Sequence, residues 1–275
     1  MKDRSLPAGI PRIRRARGFR LYDMEGRRYL DLYRDGALLG HRGAGVLTVM
    51  KSALSQGLST ALPTAWEGRL VAAVKKMLPG WGDVRLYASM DRALQAAGHF
   101  LHATLALADV HDPALAEQQA SPAPAALWRP LLPCPAATRV LLAQLPVTVC
   151  SAPVPVCFAP SAAHEAPPSD ALPGFVLAAA VRGLAALTHP SGEPPLSDGI
   201  AAVERAIDRT RGWKRQGPYV RAVFPEPDYS RVHAEFLRAG VLLHPGYPGP
   251  SVLPGECSPG ENKLLADLFA RSSGG

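Results

Sequence analysis

Lysine is scarce and unevenly placed in this 275-residue chain. There are six, Lys2, Lys51, Lys75, Lys76, Lys214 and Lys263, and none lies between Met77 and Trp213. That long middle stretch therefore has no side-chain amine to act as a nucleophile or to form a Schiff base. Cysteine is scarce as well: Cys134, Cys150, Cys157 and Cys257 include no C-x-x-C pair and no metal-like spacing. No apolar run reaches the length needed to cross a bilayer. The first residues are charged and carry no apolar core of a signal peptide, so cytoplasmic location with reduced thiols is expected. Charge is thin in the middle, where Arg129 and Arg139 are the only charged residues between Gln118 and His164.

What is present is an ordinary globular composition, 47% hydrophobic and 19% charged, with a net charge of +7. The length allows one large or two modest domains. Arginines crowd the start at Arg4, Arg12, Arg14, Arg15, Arg17 and Arg20. No aromatic ladder accompanies them, so a solvated surface strand is expected, with no nucleic-acid or membrane partner.

Residues 18–33 read as a hairpin turning at Gly26. A helix is expected over 44–56, with Val46, Leu47, Met50, Ala53 and Leu54 on one face and Gly57 as its cap. Thr64-Ala65-Trp66-Glu67 fits a capping box. The helix it opens carries Trp66, Leu70, Val71, Val74 and Met77 as a stripe and stops at Pro79-Gly80. Asp83–Ala88 reads as a strand and Ser89–Ala108 as a long helix.

From Pro113 to Pro195 the chain holds 16 of its 28 prolines. Arg139–Leu145 and Val147–Phe158 look β-like. Pro146, Pro153 and Pro155 limit them to edge strands or extended loops, because proline cannot donate to a ladder. Phe175–Leu187 is compatible with either strand or helix. Order returns at Ser197 with a helix to about Thr210, burying Ile200, Val203 and Ile207. A strand at Tyr219–Phe224 follows, then a helix capped by Asp228 and ending at Gly240, then the strand Val241–Leu243. Ser258-Pro259-Gly260-Glu261 is a second capping box, opening a last helix with Leu264, Leu265 and Leu268 inside.

Several stretches carry a resemblance. Gly9-Ile10-Pro11 and Arg15-Ala16 precede Gly18-Phe19-Arg20-Leu21-Tyr22-Asp23-Met24-Glu25-Gly26 and Tyr29-Leu30-Asp31. Leu39-Gly40-His41, Ser59–Glu67 and Val84–Ala93 follow in order. This succession resembles the class III aminotransferases, most closely glutamate-1-semialdehyde aminomutase. That family has a GAYLxDVDGxxYIDY hairpin, then LGH, SFGAPTxxE and VRFxNSGTEA. Later, Ser191-Gly192-Glu193-Pro194 is similar to its SGNP, and Phe236–Pro245 to its Gly-Val-x-x-x-Pro segment.

The resemblance implies an α/β fold of the type I pyridoxal-phosphate-dependent transferase kind, shortened relative to a family typically well over 400 residues. It implies a small domain from both termini (1–58 and 213–275), a reduced large domain (59–212) and a homodimer. It also implies pyridoxal phosphate, a Schiff-base lysine, an aspartate against the pyridine nitrogen and a phosphate cup. The lysine would fall near His164–Ala166, where there is none. The strand expected to end in aspartate, Val154–Ala159, ends in alanine. Of the family's Ser-Gly-Thr cup, Ser89 remains as the one cofactor-binding candidate, while glycine and threonine have become Met90 and Asp91. Asp91 is expected to cap the helix and to repel a dianion.

No catalytic residue and no metal site is expected. His99 and His102, at i and i+3, lack a third ligand. Cys150 and Cys157 with His164 lie in an apolar setting without an activating charge. Ser191-Gly192 lacks a nucleophile elbow. Three readings stand. One is a pseudoenzyme kept for binding or assembly, alone or beside an intact family member, with no bound cofactor. Another is an active pyridoxal-phosphate-dependent aminotransferase or aminomutase of altered mechanism. The last is a product in decay.

Overall fold

The computed structural model describes residues 10–33, 36–41, 45–115, 123–135, 138–146, 153–160, 166–187 and 200–272. The expectations for Gly9, Cys150, His164 and Ser191–Pro194 lie outside them. The chain divides into two compact units, one from Met1–Gly43 with Glu193–Gly275 and the other from Ala44–Gly192.

The first unit is built from both termini. The strands β1 (Ile13–Arg17), β2 (Arg20–Asp23) and β3 (Arg28–Asp31) form an antiparallel meander, and β10 (Val241–Leu242) joins β3 in parallel. The hairpin is locked by its own carboxylate. Asp23, 5% exposed, accepts the Glu25 and Arg27 N–H groups and the Tyr29 hydroxyl, and Gly26 takes φ +81°. Only glycine adopts that conformation without strain. A short helix, α1 (Gly36–Leu39), leads to His41, whose Nε2 lies 2.8 Å from the buried Asp31 carboxylate.

A second antiparallel sheet has the order β11 (Ser251–Val252), β9 (Tyr219–Ala222), β8 (Trp213–Gln216). The helices α6 (Ile200–Asp208), α7 (Glu226–Arg238) and α8 (Pro259–Arg271) complete the unit. Ile200, Val203 and Ile207 are buried as expected, and Trp213 meets Phe269 edge-on at 5.0 Å. Such a ring pair adds about 0.5–1.5 kcal/mol beyond its buried area. The capping box of α8 is present, but α7 starts two residues before Asp228, on Pro225, with no side-chain cap. Glu226 and Pro227 already have helical backbone, so Asp228 sits inside the first turn.

The second unit has one four-stranded sheet, in the order β4 (Asp83–Tyr87), β7 (Val154–Phe158), β6 (Val140–Ala143), β5 (Ala125–Trp128). The strands β5 and β6 run parallel, and β7 runs against both β4 and β6. The expectation of edge strands is overturned here, because β6 and β7 are the two central strands and are wholly buried. Pro155 is tolerated for a specific reason. Opposite it, Leu86 gives its N–H to Ser169 Oγ and its C=O to the Asp170 N–H, so no donor is asked of the proline. Pairing with β6 stops at Leu142↔Val156, one residue short of it.

Around this sheet lie α2 (Val46–Ser55), α3 (Ala65–Met77), α4 (Met90–Leu101) and α5 (Gly174–Leu187). The ambiguous Phe175–Leu187 is helix, apolar nearly all round and correspondingly buried. At Gly174 an added Cβ would lie 2.9 Å from Leu58 Cβ, so the chain needs glycine for that approach. The capping box at Thr64 is present.

Two helices depart from expectation. On α2, Val46 and Ala53 are buried, but Leu47 and Leu54 are 40% and 43% exposed. The helix α4 ends at Leu101 instead of Ala108. His102 takes φ +53°, and the Ala103 and His102 N–H groups return to Gly98 and His99, a left-handed closure without glycine.

Candidate active-site edge

In sheets with parallel strands, ligands sit outside the carboxyl ends, where helix N-termini and loops converge. The strands β4, β5 and β6 all point to one edge of the second unit's sheet, and β7 points away. The residues that follow them are Ala88-Ser89, Arg129 and Gln144. The Val154–Ala159 strand read as the carrier of the family's aspartate is β7, so Ala159 lies at the opposite edge. Lys75 also lies there, its Nζ 3.3 Å from the carbonyl of Gly82 ahead of β4.

At the β4–α4 junction Ser89 is extended and its Oγ accepts the Arg92 N–H at 3.2 Å, so Ser89 caps α4. Asp91 does not. It sits in the first turn with helical backbone and faces solvent. Met90 is half-buried against the cluster of Tyr87, Ala93 and Phe100. The carboxylate at this junction is Asp170. Its Oδ2 accepts the Ala88 N–H at 3.0 Å and Arg92 Nε at 3.4 Å, and its Oδ1 accepts Arg92 Nη2 at 2.9 Å. The hydrogen bond from Arg92 holds this carboxyl below its ordinary pKa against the opposing effect of burial, and the Ala88 N–H helps. Burial pushes the Tyr87 hydroxyl up to about 12 while it donates to the Pro167 carbonyl at 2.8 Å.

At the ends of β5 and β6 a second cluster closes the edge. Arg129 donates to both oxygens of Asp112 at 2.8 and 2.6 Å and to Gln144 Oε1 at 2.6 Å. Arg129 and Asp112 are only 12% and 13% exposed. Sequence reasoning missed this trio. Its signal was Arg129 itself, a cation in an almost uncharged stretch, which burial obliges to find an anion. Asp170 had no comparable signal, since its partner lies 82 positions away.

The other constellations weighed in the sequence do not assemble among the described residues. His99 is on α4 and His102 beyond its end, and among the described residues no three His, Cys, Asp or Glu side chains converge. Cys157 is buried and its thiol is pushed up to about 12, which keeps it protonated and inert. Among the described residues no helix is long and apolar enough to cross a membrane.

Pyridoxal phosphate needs an amine, a carboxylate for its ring nitrogen and free donors for its phosphate. These residues do not fit it. No amine follows β4, β5 or β6, the Ala88 N–H and Arg92 are engaged by Asp170, and the Asp112 carboxylate is engaged by Arg129.

No family model matches the chain. An uncharacterized protein of Treponema pallidum (strain Nichols) is 29% identical over 288 residues, covering 88% of this chain and 89% of that protein. The glutamate-1-semialdehyde 2,1-aminomutase of Syntrophus aciditrophicus (strain SB) is 33% identical over 92 residues, 32% of this chain, and the match spans only 21% of the aminomutase. Among solved structures, an amine transaminase from an uncultivated Pseudomonas species, in its cofactor-bound internal-aldimine form, superposes with a TM-score of 0.69 at 12% identity. That match covers 99% of this chain and 96% of the transaminase. The chain thus has the type I fold of the class III pyridoxal-phosphate-dependent aminotransferases in shortened form, with a sequence similarity to glutamate-1-semialdehyde aminomutases over about a third of its length.

Proposed function

We propose that this chain is a non-catalytic relative of the class III aminotransferases, kept for binding or assembly, and that it forms no Schiff base with pyridoxal phosphate. One observation carries the proposal: the residues that follow the three parallel strands are Ala88, Arg129 and Gln144, in a stretch of sequence without lysine. The family-like residues that remain serve the scaffold. Asp23 and Gly26 shape the hairpin, Asp31 holds His41, Thr64 and Glu67 cap α3, and Ser89 caps α4.

The test is borohydride reduction after incubation with pyridoxal phosphate, followed by peptide mapping. Scattered trace labelling is the expected result. Stoichiometric phosphopyridoxyl on any one lysine overturns the proposal and favours an active enzyme of altered mechanism.

The assembly we propose is a homodimer, with an intact family member as the other candidate partner. Leu47 and Leu54, two turns apart on α2, and Leu62, 60% exposed, support an apolar contact on the second unit. Leu38 is buried and Leu58 packs on Gly174, so neither adds to this face. A cytoplasmic location accords with the free thiols of Cys134, Cys157 and Cys257. We assign no nucleic-acid or membrane partner.

A further inference from the structure

We propose that Asp170 is a tethered anion: the chain delivers its own carboxylate to the first turn of α4, so that the β4–α4 junction is complete without a ligand and takes up phosphate only when that carboxylate is removed. The inference rests on the proposed kinship with the class III aminotransferases in one respect, that the resemblance puts their phosphate cup at this junction.

The placement is built, not incidental. The segment ahead of α5 lies along the edge of β4 that β7 does not occupy. The Leu86 N–H donates to Ser169 Oγ at 3.1 Å, the Asp170 N–H donates to the Leu86 carbonyl at 2.9 Å, and the Tyr87 hydroxyl donates to the Pro167 carbonyl. Pro167-Pro168 presets an extended backbone ahead of it. Behind it, Leu172 is buried in the core and Pro173 bridges to Ala61. The carboxylate is therefore fixed from both sides, with its side chain 20% exposed.

The contacts are those an anion would make. One oxygen takes a free N–H at the strand-to-helix turn, and both oxygens take the guanidinium of Arg92. A helix N-terminus offers N–H groups and positive potential to any anion that reaches it. Here the anion arrives covalently attached, at high effective concentration and with no ordering cost on binding. A second anion would meet this carboxylate's repulsion and find the N–H and guanidinium donors already taken. Asp91, in the same turn but facing solvent, makes none of these contacts.

The test uses the full chain, Asp170→Ala and Asp170→Asn, titrated with inorganic phosphate by calorimetry and by thermal melting, with sodium chloride at matched ionic strength as control. The wild-type protein should show no saturable heat and no melting shift up to 10 mM phosphate. Asp170→Ala should melt several degrees lower in phosphate-free buffer, recover with millimolar phosphate but not with chloride, and lose that recovery when Arg92→Gln is added. Phosphate binding by the wild type as tight as by Asp170→Ala overturns the proposal, and so does an Asp170→Ala variant that binds no phosphate.

A measurement on the unaltered protein guards against a variant that fails to fold. The Ala88 amide resonance should shift with titration of the Asp170 carboxyl at acid pH, and a flat response overturns the proposal. Failure of the functional reading is seen separately, as a label on lysine, which neither phosphate affinity nor the Ala88 amide reports.

Discussion

Glu261 shows how much one side chain holds together. It closes the capping box of α8 through Ser258 and takes Arg20 on both oxygens, at 2.8 and 2.5 Å, across 241 positions of sequence. Burial opposes its charge, but Arg20 and Ser258 outweigh that and bring the carboxyl down from 4.5 to about 2. A carboxyl depressed on folding stabilises the protein above its unfolded pKa, and that stability is lost as pH falls through the folded value. Glu261→Gln should therefore cost about 2 kcal/mol at neutral pH, allowing for solvent screening of the partly exposed Arg20. The gap between wild type and variant should close between pH 4.5 and about 2, as measured by urea unfolding at stepped pH. A gap that stays constant over that range would remove the ion pair as the cause.

At the scale of elements, α2 carries an apolar face that its own unit leaves uncovered. Leu47→Lys with Leu54→Lys should convert the proposed dimer to monomer in sedimentation without changing the far-ultraviolet dichroism. A wild-type monomer at micromolar concentration would refute the interface outright. The elements also show where sequence was legible. The two capping boxes were, because Thr64–Glu67 and Ser258–Glu261 act within three residues of themselves. The central strands were not. Pro155 reads locally as a bar to pairing, and its tolerance depends on Ser169 and Asp170 arriving beside Leu86 from far along the chain. The end of α4 was hidden because His102 closes it where glycine would have been the sign. At the site the sequence singled out Ser89 as a cofactor contact, and the structure shows it capping α4. Asp170 and the Arg129–Asp112–Gln144 cluster come together only through the sheet.

For the molecule as a whole, stability should be independent of pyridoxal phosphate. A ligand bound only to the native state at a hundred times its Kd adds about 2.7 kcal/mol to unfolding. Denaturation midpoints with and without 0.1 mM pyridoxal phosphate should coincide, and a shift of that size would place a micromolar site on the folded protein. The division of the chain also bears on how the molecule comes into being. The second unit is one continuous stretch, Ala44–Gly192, whereas the first needs Leu30 and Asp31 to pair with Val241 and Leu242. During synthesis the sheet of β4 to β7 has all its strands once residue 158 is out. The hairpin must wait for a segment synthesised long after it. The sheet of β1, β2 and β3 is thus completed only by a pairing of high sequence separation, which forms late in folding.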